Sequence, residues 1–124
     1  MRSSTLASLC VVLLAALVTG CAIDCGRCID HEVVLRVRST EGGPVPEVTV
    51  TGAGVEGEVI RTCTTGSTET VCTGSIYFGD VVLTVEAPGF EPVSLERSFP
   101  NPNGPNCTCD HRDLDEVVQL TPSP

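Results

Sequence analysis

The sequence predicts an all-β protein, a single β-sandwich of about seven strands behind an apolar leader. Three observations predict it. From residue 31 onward apolar residues alternate with polar ones, the period of half-buried strands. Clusters of Gly, Pro, Asn and Asp interrupt that alternation at short intervals, which is turn chemistry. No segment after residue 21 sustains a helical period.

The leader comes first. Met1 to Thr5 is short and carries Arg2; Leu6 to Val18 is apolar apart from Ser8 and Cys10. That run is too short for a transmembrane helix, which needs about 20 residues, and it lacks the charged face of a domain helix. Residues 1–20 therefore read as a secretory signal helix. Its last residues with the next, Val18-Thr19-Gly20-Cys21, resemble a bacterial lipobox. The resemblance implies cleavage before Cys21, a thioether-linked diacylglycerol on its sulfur, and acylation of the new amino terminus, commonly by palmitate. Lipidation of Cys21 would give a stable membrane anchor, because two or more acyl chains hold where one does not. Residue 22 is Ala, whereas Asp there would resemble an inner-membrane retention signal; the expected place is the cell envelope, with the outer membrane favoured in a diderm source.

Residues 21–30 are expected to form a lipidated tether and residues 31–120 the sandwich. Val33, Leu35 and Val37 alternate with Val34, Arg36 and Arg38 in a first strand, and Glu41-Gly42-Gly43-Pro44 makes a turn. Glu47 to Thr51 presents Val48 and Val50, and a Gly-rich bend at 52–57 leads into Glu58 to Cys63. Ser75 to Phe78 reads as a short strand, Gly79-Asp80 as a tight turn, and Val81 to Val85 as the most apolar strand. Pro88-Gly89 ends it; Val93, Leu95 and Phe99 alternate again. The stretch Pro100 to Asn106 holds three prolines and a glycine and is expected to be an irregular loop. Glu116 to Leu120 closes the domain, and residues 121–124 are expected to be a disordered tail. Phe78, Phe90 and Phe99 are assigned to the core.

Eight cysteines are present. Cys10 leaves with the signal and Cys21 takes the lipid, so six remain: Cys25, Cys28, Cys63, Cys72, Cys107 and Cys109. An even number in a small exported domain reads as a disulfide framework. Cys63 and Cys72 flank a turn-rich stretch and are expected to pair. Cys107 and Cys109 face the same way on an extended chain, so they are expected to bridge to Cys25 and Cys28 rather than to each other, in either combination. A second chemistry fits the same residues. Cys25, Cys28 and His31 with Cys107, Cys109 and His111 contain every other thiol and both histidines, the donor set of a Zn or Cu(I) site. An oxidising compartment favours the disulfides.

The ordered set of strands carries a further resemblance. The run Val37 to Val50, with its Gly-Gly-Pro-Val-Pro turn, is similar to the opening of carboxypeptidase regulatory-like domains of the transthyretin (prealbumin) type. Gly74-Ser-Ile-Tyr-Phe78, Val82-Leu-Thr-Val-Glu-Ala-Pro-Gly-Phe90 and Val117 to Leu120 resemble the later motifs of that family. The resemblance spans residues 33–120 and implies a seven-stranded transthyretin-like sandwich that is an accessory module without catalysis. The cysteines lie outside the family pattern.

Composition narrows the function. The chain has 7 basic and 16 acidic residues, a net charge of −9 that becomes −10 when Arg2 leaves. Such a domain repels nucleic acid. All seven basic residues are Arg, so a Schiff-base enzyme, a P-loop and a Lys–Asn isopeptide crosslink are excluded. No Gly-x-Ser-x-Gly elbow is present. His31 and His111 have no recognisable nucleophile nearby in sequence and read as surface histidines at strand ends. With no Trp, Tyr77 is the one candidate platform for a sugar. The expected protein is no enzyme and holds no cofactor. It is a lipid-anchored envelope module with a structural or protein-interaction role. Metal binding is the alternative, and carbohydrate binding a weaker one.

Overall fold

The computed structural model describes residues 25–124. The signal helix, the lipobox and Cys21 lie outside the described residues. The protein is all-β, with strands β1 (His31–Ser39), β2 (Thr49–Thr51), β3 (Ala53–Gly54), β4 (Gly57–Glu58), β5 (Ile60–Thr65), β6 (Thr70–Ile76), β7 (Gly79–Glu86), β8 (Val93–Phe99) and β9 (Leu114–Leu120). One sheet has the order β5-β6-β1-β9 and a second the order β2-β7-β8, while β3 and β4 form a separate hairpin. The β1–β9 pair is parallel; the other pairs are antiparallel.

The expected alternation builds the core. Val33, Leu35 and Val37 point inward from β1, and Val81, Leu83 and Val85 from β7. Val118 and Leu120 of β9 and Val48 and Val50 beside or in β2 join them in one buried cluster. The two sheets therefore sandwich a single core made mainly of β-branched and Leu side chains, which suit a pleated surface. The opposite positions of β1 carry charge. Arg36 pairs with Asp115 of β9 at 3.0 Å and with Glu69 at 3.0 Å, and Arg38 reaches Glu69 at 2.8 Å. Between the sheets, Arg97 of β8 meets Glu116 of β9 at 2.5 Å.

Four expectations need correction. The strand expected at Ser75–Phe78 runs instead from Thr70 to Ile76, and the turn falls on Tyr77-Phe78 rather than on Gly79-Asp80, which open β7. Gly79 takes a φ of 113° there, a conformation that favours glycine. Phe78 is consequently half-exposed beside Tyr77, while Phe99 lies in the core and Phe90 packs against it. The tail is not disordered: Glu91 N–H donates to Thr121 O, Ser123 N–H to Gly89 O, and Pro122 bridges to Phe90. The Gly-rich bend at 52–57 holds the small β3–β4 hairpin.

Gly74 explains why β6 is hard to see. A Cβ at this position would lie 1.8 Å from Val59 O and 2.7 Å from Ile60 Cα, because the start of β5 passes directly over it. The inward row of β6 is thus Thr70, Cys72, Gly74 and Ile76, a period-two pattern with little apolar signature. Thr70 is buried because its hydroxyl donates to Val45 O at 2.5 Å.

Two outcomes are expected. Gly74→Ala forces backbone apart in a close-packed interior, and should destabilise by about 3 kcal/mol, read as a lowered urea midpoint. Acid should weaken the fold through its paired carboxylates. Arg38 and Arg36 hold Glu69 below the ordinary Glu range, Arg36 does the same for Asp115, and Arg97 for Glu116. Their depressed values mean that this stabilisation is full above the unfolded carboxylate range of about 4 and is lost as pH falls through the folded values. The urea midpoint should be level above about pH 5 and decline below about pH 4, and Glu116→Gln should remove part of that decline.

Candidate functional site

The described chain begins at one end of the sandwich, where β1 and β9 start and β8 finishes. The parallel register puts Val33 opposite Leu114, and the loop from Pro100 to Asp113 crosses from one sheet to the other at that end. A loop that long has few ladder hydrogen bonds of its own, so something else must hold it.

Two disulfides do so. Cys25 bonds to Cys107 and Cys28 to Cys109, with Cα separations of 5.1 and 5.8 Å. The sequence had left these combinations open. Cys63 and Cys72, directly opposed on β5 and β6, form the third bridge as expected, with Cα atoms 4.0 Å apart. Asn106 and Cys107 take left-handed backbone conformations, φ 56° and 61°, just after Pro105. Gly104 N–H bonded to Thr108 O and Thr108 N–H bonded to Pro105 O close this tight turn and aim Cys107 at Cys25.

Residues 25–30, expected as part of a tether, are docked on the domain. Cys28 N–H donates to the Asn103 side-chain oxygen at 2.9 Å, and Ile29 O accepts from His111 Nε2 at 2.9 Å. One Arg27 nitrogen reaches both Asp30 and Glu56 at 2.7 Å, and its guanidinium lies 3.8 Å from the centre of the Tyr77 ring. The Tyr77 hydroxyl in turn accepts from the Asn103 amide. One face of the candidate sugar platform is therefore occupied by the protein's own arginine. Arg27 and Asn103 carried no motif that singled them out in the sequence.

His31 is the second correction here. It is fully buried rather than a surface residue. Arg112 N–H donates to its Nδ1 at 2.9 Å, so Nδ1 is the acceptor nitrogen and Nε2–H donates to Pro100 O at 2.7 Å. Both ring nitrogens tie down the ends of the 100–113 loop. Phe99 and His111 pack on the ring, with centroids at 5.6 and 6.0 Å. This full pairing is what permits an imidazole in the interior.

The metal reading meets the same geometry. Each of Cys25, Cys28, Cys107 and Cys109 is bonded to another sulfur and so offers no thiolate, and His31 has no free lone pair to give. Among the described residues no group of three His, Cys, Asp or Glu side chains is placed to hold a metal ion. No family model, curated protein or solved structure matches the chain.

The two bridges close overlapping loops, spanning 82 and 81 residues between neighbouring attachment points, so their contributions do not add. With one intact, the other closes only a loop of a few residues. Removing either pair by Cys→Ala should cost about 2 kcal/mol, and removing both about 6 kcal/mol, on the chain-entropy relation. Urea unfolding of the two double variants and the quadruple variant checks this; strictly additive losses would contradict the overlap of the two loops.

Proposed function

We propose that the chain is a lipid-anchored, non-catalytic module of a bacterial cell envelope, with a structural or protein-interaction role, built on a seven-stranded transthyretin-like sandwich. One observation carries the reading. The covalent clamp of the domain starts at Cys25, four residues after the lipobox cysteine, so a lipid on Cys21 would be joined to the folded unit almost without slack.

Several features support it. Three disulfides fit an exported protein in an oxidising compartment. The four-stranded and three-stranded sheets number seven strands between them, the count this reading calls for. The buried histidine is committed to backbone partners and His111 to Ile29 O, which fits structural roles better than general-base roles. The acidic surface suits a partner that presents basic or neutral polar groups.

Intact mass of the detergent-extracted protein tests the anchor. The expected result is residues 21–124 plus a lipid-sized increment, with no cysteine open to alkylation before reduction. Cys21→Ser should remove the increment and release the protein from the membrane fraction. A wild-type chain without the increment would overturn the reading.

A further inference from the structure

Ile29 and Val55 are the two most exposed large apolar side chains among the described residues, at 73% and 64%. They are far apart in sequence and lie at the same, clamped end. Asp30, next to Ile29, and Glu56, next to Val55, are both held by the same Arg27 nitrogen. The Tyr77-Phe78 turn shares this end, since β6 finishes there and a Cβ on Gly79 would touch Val55.

We infer that this end is a membrane-contact face, in which Ile29 and Val55 enter the interfacial layer of the bilayer that holds the anchor. The inference rests on lipidation of Cys21. Its second support is reach: the four bonds of chain from Cys21 to Cys25 extend at most about 14 Å, so the clamped end cannot leave the lipid surface by more than that. Charge at this end is partly compensated. Arg27 offsets one of the two charges of Asp30 and Glu56, and Arg112 pairs with Asp110 at 3.2 Å, so less acid is left unpaired here than the carboxylates alone would give. Tyr and Arg with apolar neighbours are groups that suit the headgroup region, their polar tips staying hydrated. A zwitterionic bilayer is the matching surface; an anionic one would repel the remainder of the domain. The strands then run away from the membrane, β1 carrying the far end roughly 26 Å out.

The chain contains no Trp, so a single introduced indole reports its own site. Full-length lipidated protein carrying Ile29→Trp, Val55→Trp, Val117→Trp or Glu41→Trp is reconstituted into phosphatidylcholine vesicles with bromines at shallow acyl positions. Val117 and Glu41 are exposed controls, on the outer side of a sheet and at the far end. The first two variants should shift to the blue and lose about half their emission, at the depth of 5–10 Å reached by interfacial groups. The controls should keep theirs. Full emission from the first two, in protein whose mass shows the lipid on Cys21, overturns this inference alone and leaves a protein partner as the occupant. Equal quenching of Val117→Trp overturns the upright orientation. A chain without lipid overturns the anchored reading and this one with it.

Discussion

The parallel pairing of β1 with β9 is the constraint on which the rest of the structure depends. β1 opens the sandwich and lies at the centre of its sheet, whereas β9 is the last strand and must be added along β1's outer edge in the same direction. Parallel partners cannot be joined by a tight turn. β8 ends in the opposite sheet, so the chain must cross between sheets and reverse before β9 begins. The loop from Pro100 to Asp113 does this without a ladder, and its ordering entropy has to be offset by something other than core packing. The bridges at Cys107 and Cys109, the buried Pro102 and the two hydrogen bonds of His31 supply that offset. A domain of this size with a core of mainly Val has little stability to spare, which makes covalent help at its least regular segment physically reasonable.

The same constraint separates what could be read in the sequence from what could not. β1, β7, β8 and β9 were legible because their inward rows are mainly apolar and their outward rows mainly polar. β6 was not, because its buried row contains Thr70 and Gly74, whose burial depends on Val45 O and on the passage of β5 overhead. Those are tertiary facts with no local signature. The order of the strands within the sheets was equally silent. For the site, spacing separated Cys63–Cys72 from the other four cysteines but could not choose between two equivalent crossings. Histidine next to cysteine pairs suggested a ligand set. The burial of His31 comes from backbone groups of Pro100 and Arg112, and side-chain identities carry no trace of these.

Electrostatics gives the sandwich a polarity of its own. Five arginines, Arg27, Arg36, Arg38, Arg97 and Arg112, are engaged in ion pairs among the described residues. Exposed pairs of this kind are weakened by water and salt, so their effect on stability is modest. Their effect on the distribution of charge is larger. Cations concentrate at the clamped end and along the outer face of β1, and the far turns around Glu41, Glu47, Glu86 and Glu91 carry acid without a paired base among the described residues. The edge strands follow the same logic. β9 shows Asp115 and Glu116 at its edge and β8 shows Glu96, charges that discourage pairing with another sheet.

On the anchored reading these features fix which surfaces a partner can meet. The end beside the anchor is then covalently closed, its acid partly offset by Arg27 and Arg112, and the short chain before Cys25 would keep it near the bilayer. The far turns, with their unpaired carboxylates, are then the parts presented outward. A partner approaching from solvent meets a negative field before it meets any apolar surface, which speeds encounter with basic or polar groups and rejects acidic ones. β5 differs from the other long edges: its exposed residues are Arg61, Thr62, Thr64 and Thr65, with no carboxylate among them. The Cys63–Cys72 bridge ties this edge to β6 and prevents it from peeling away. An edge free of carboxylates and proline lacks the charge barrier that the acidic β9 edge presents to another strand. The covalent frame therefore acts at two separate places: one pair of bridges secures the end that carries residues 25–30 and the 100–113 loop, and the third ties edge strand β5 to β6.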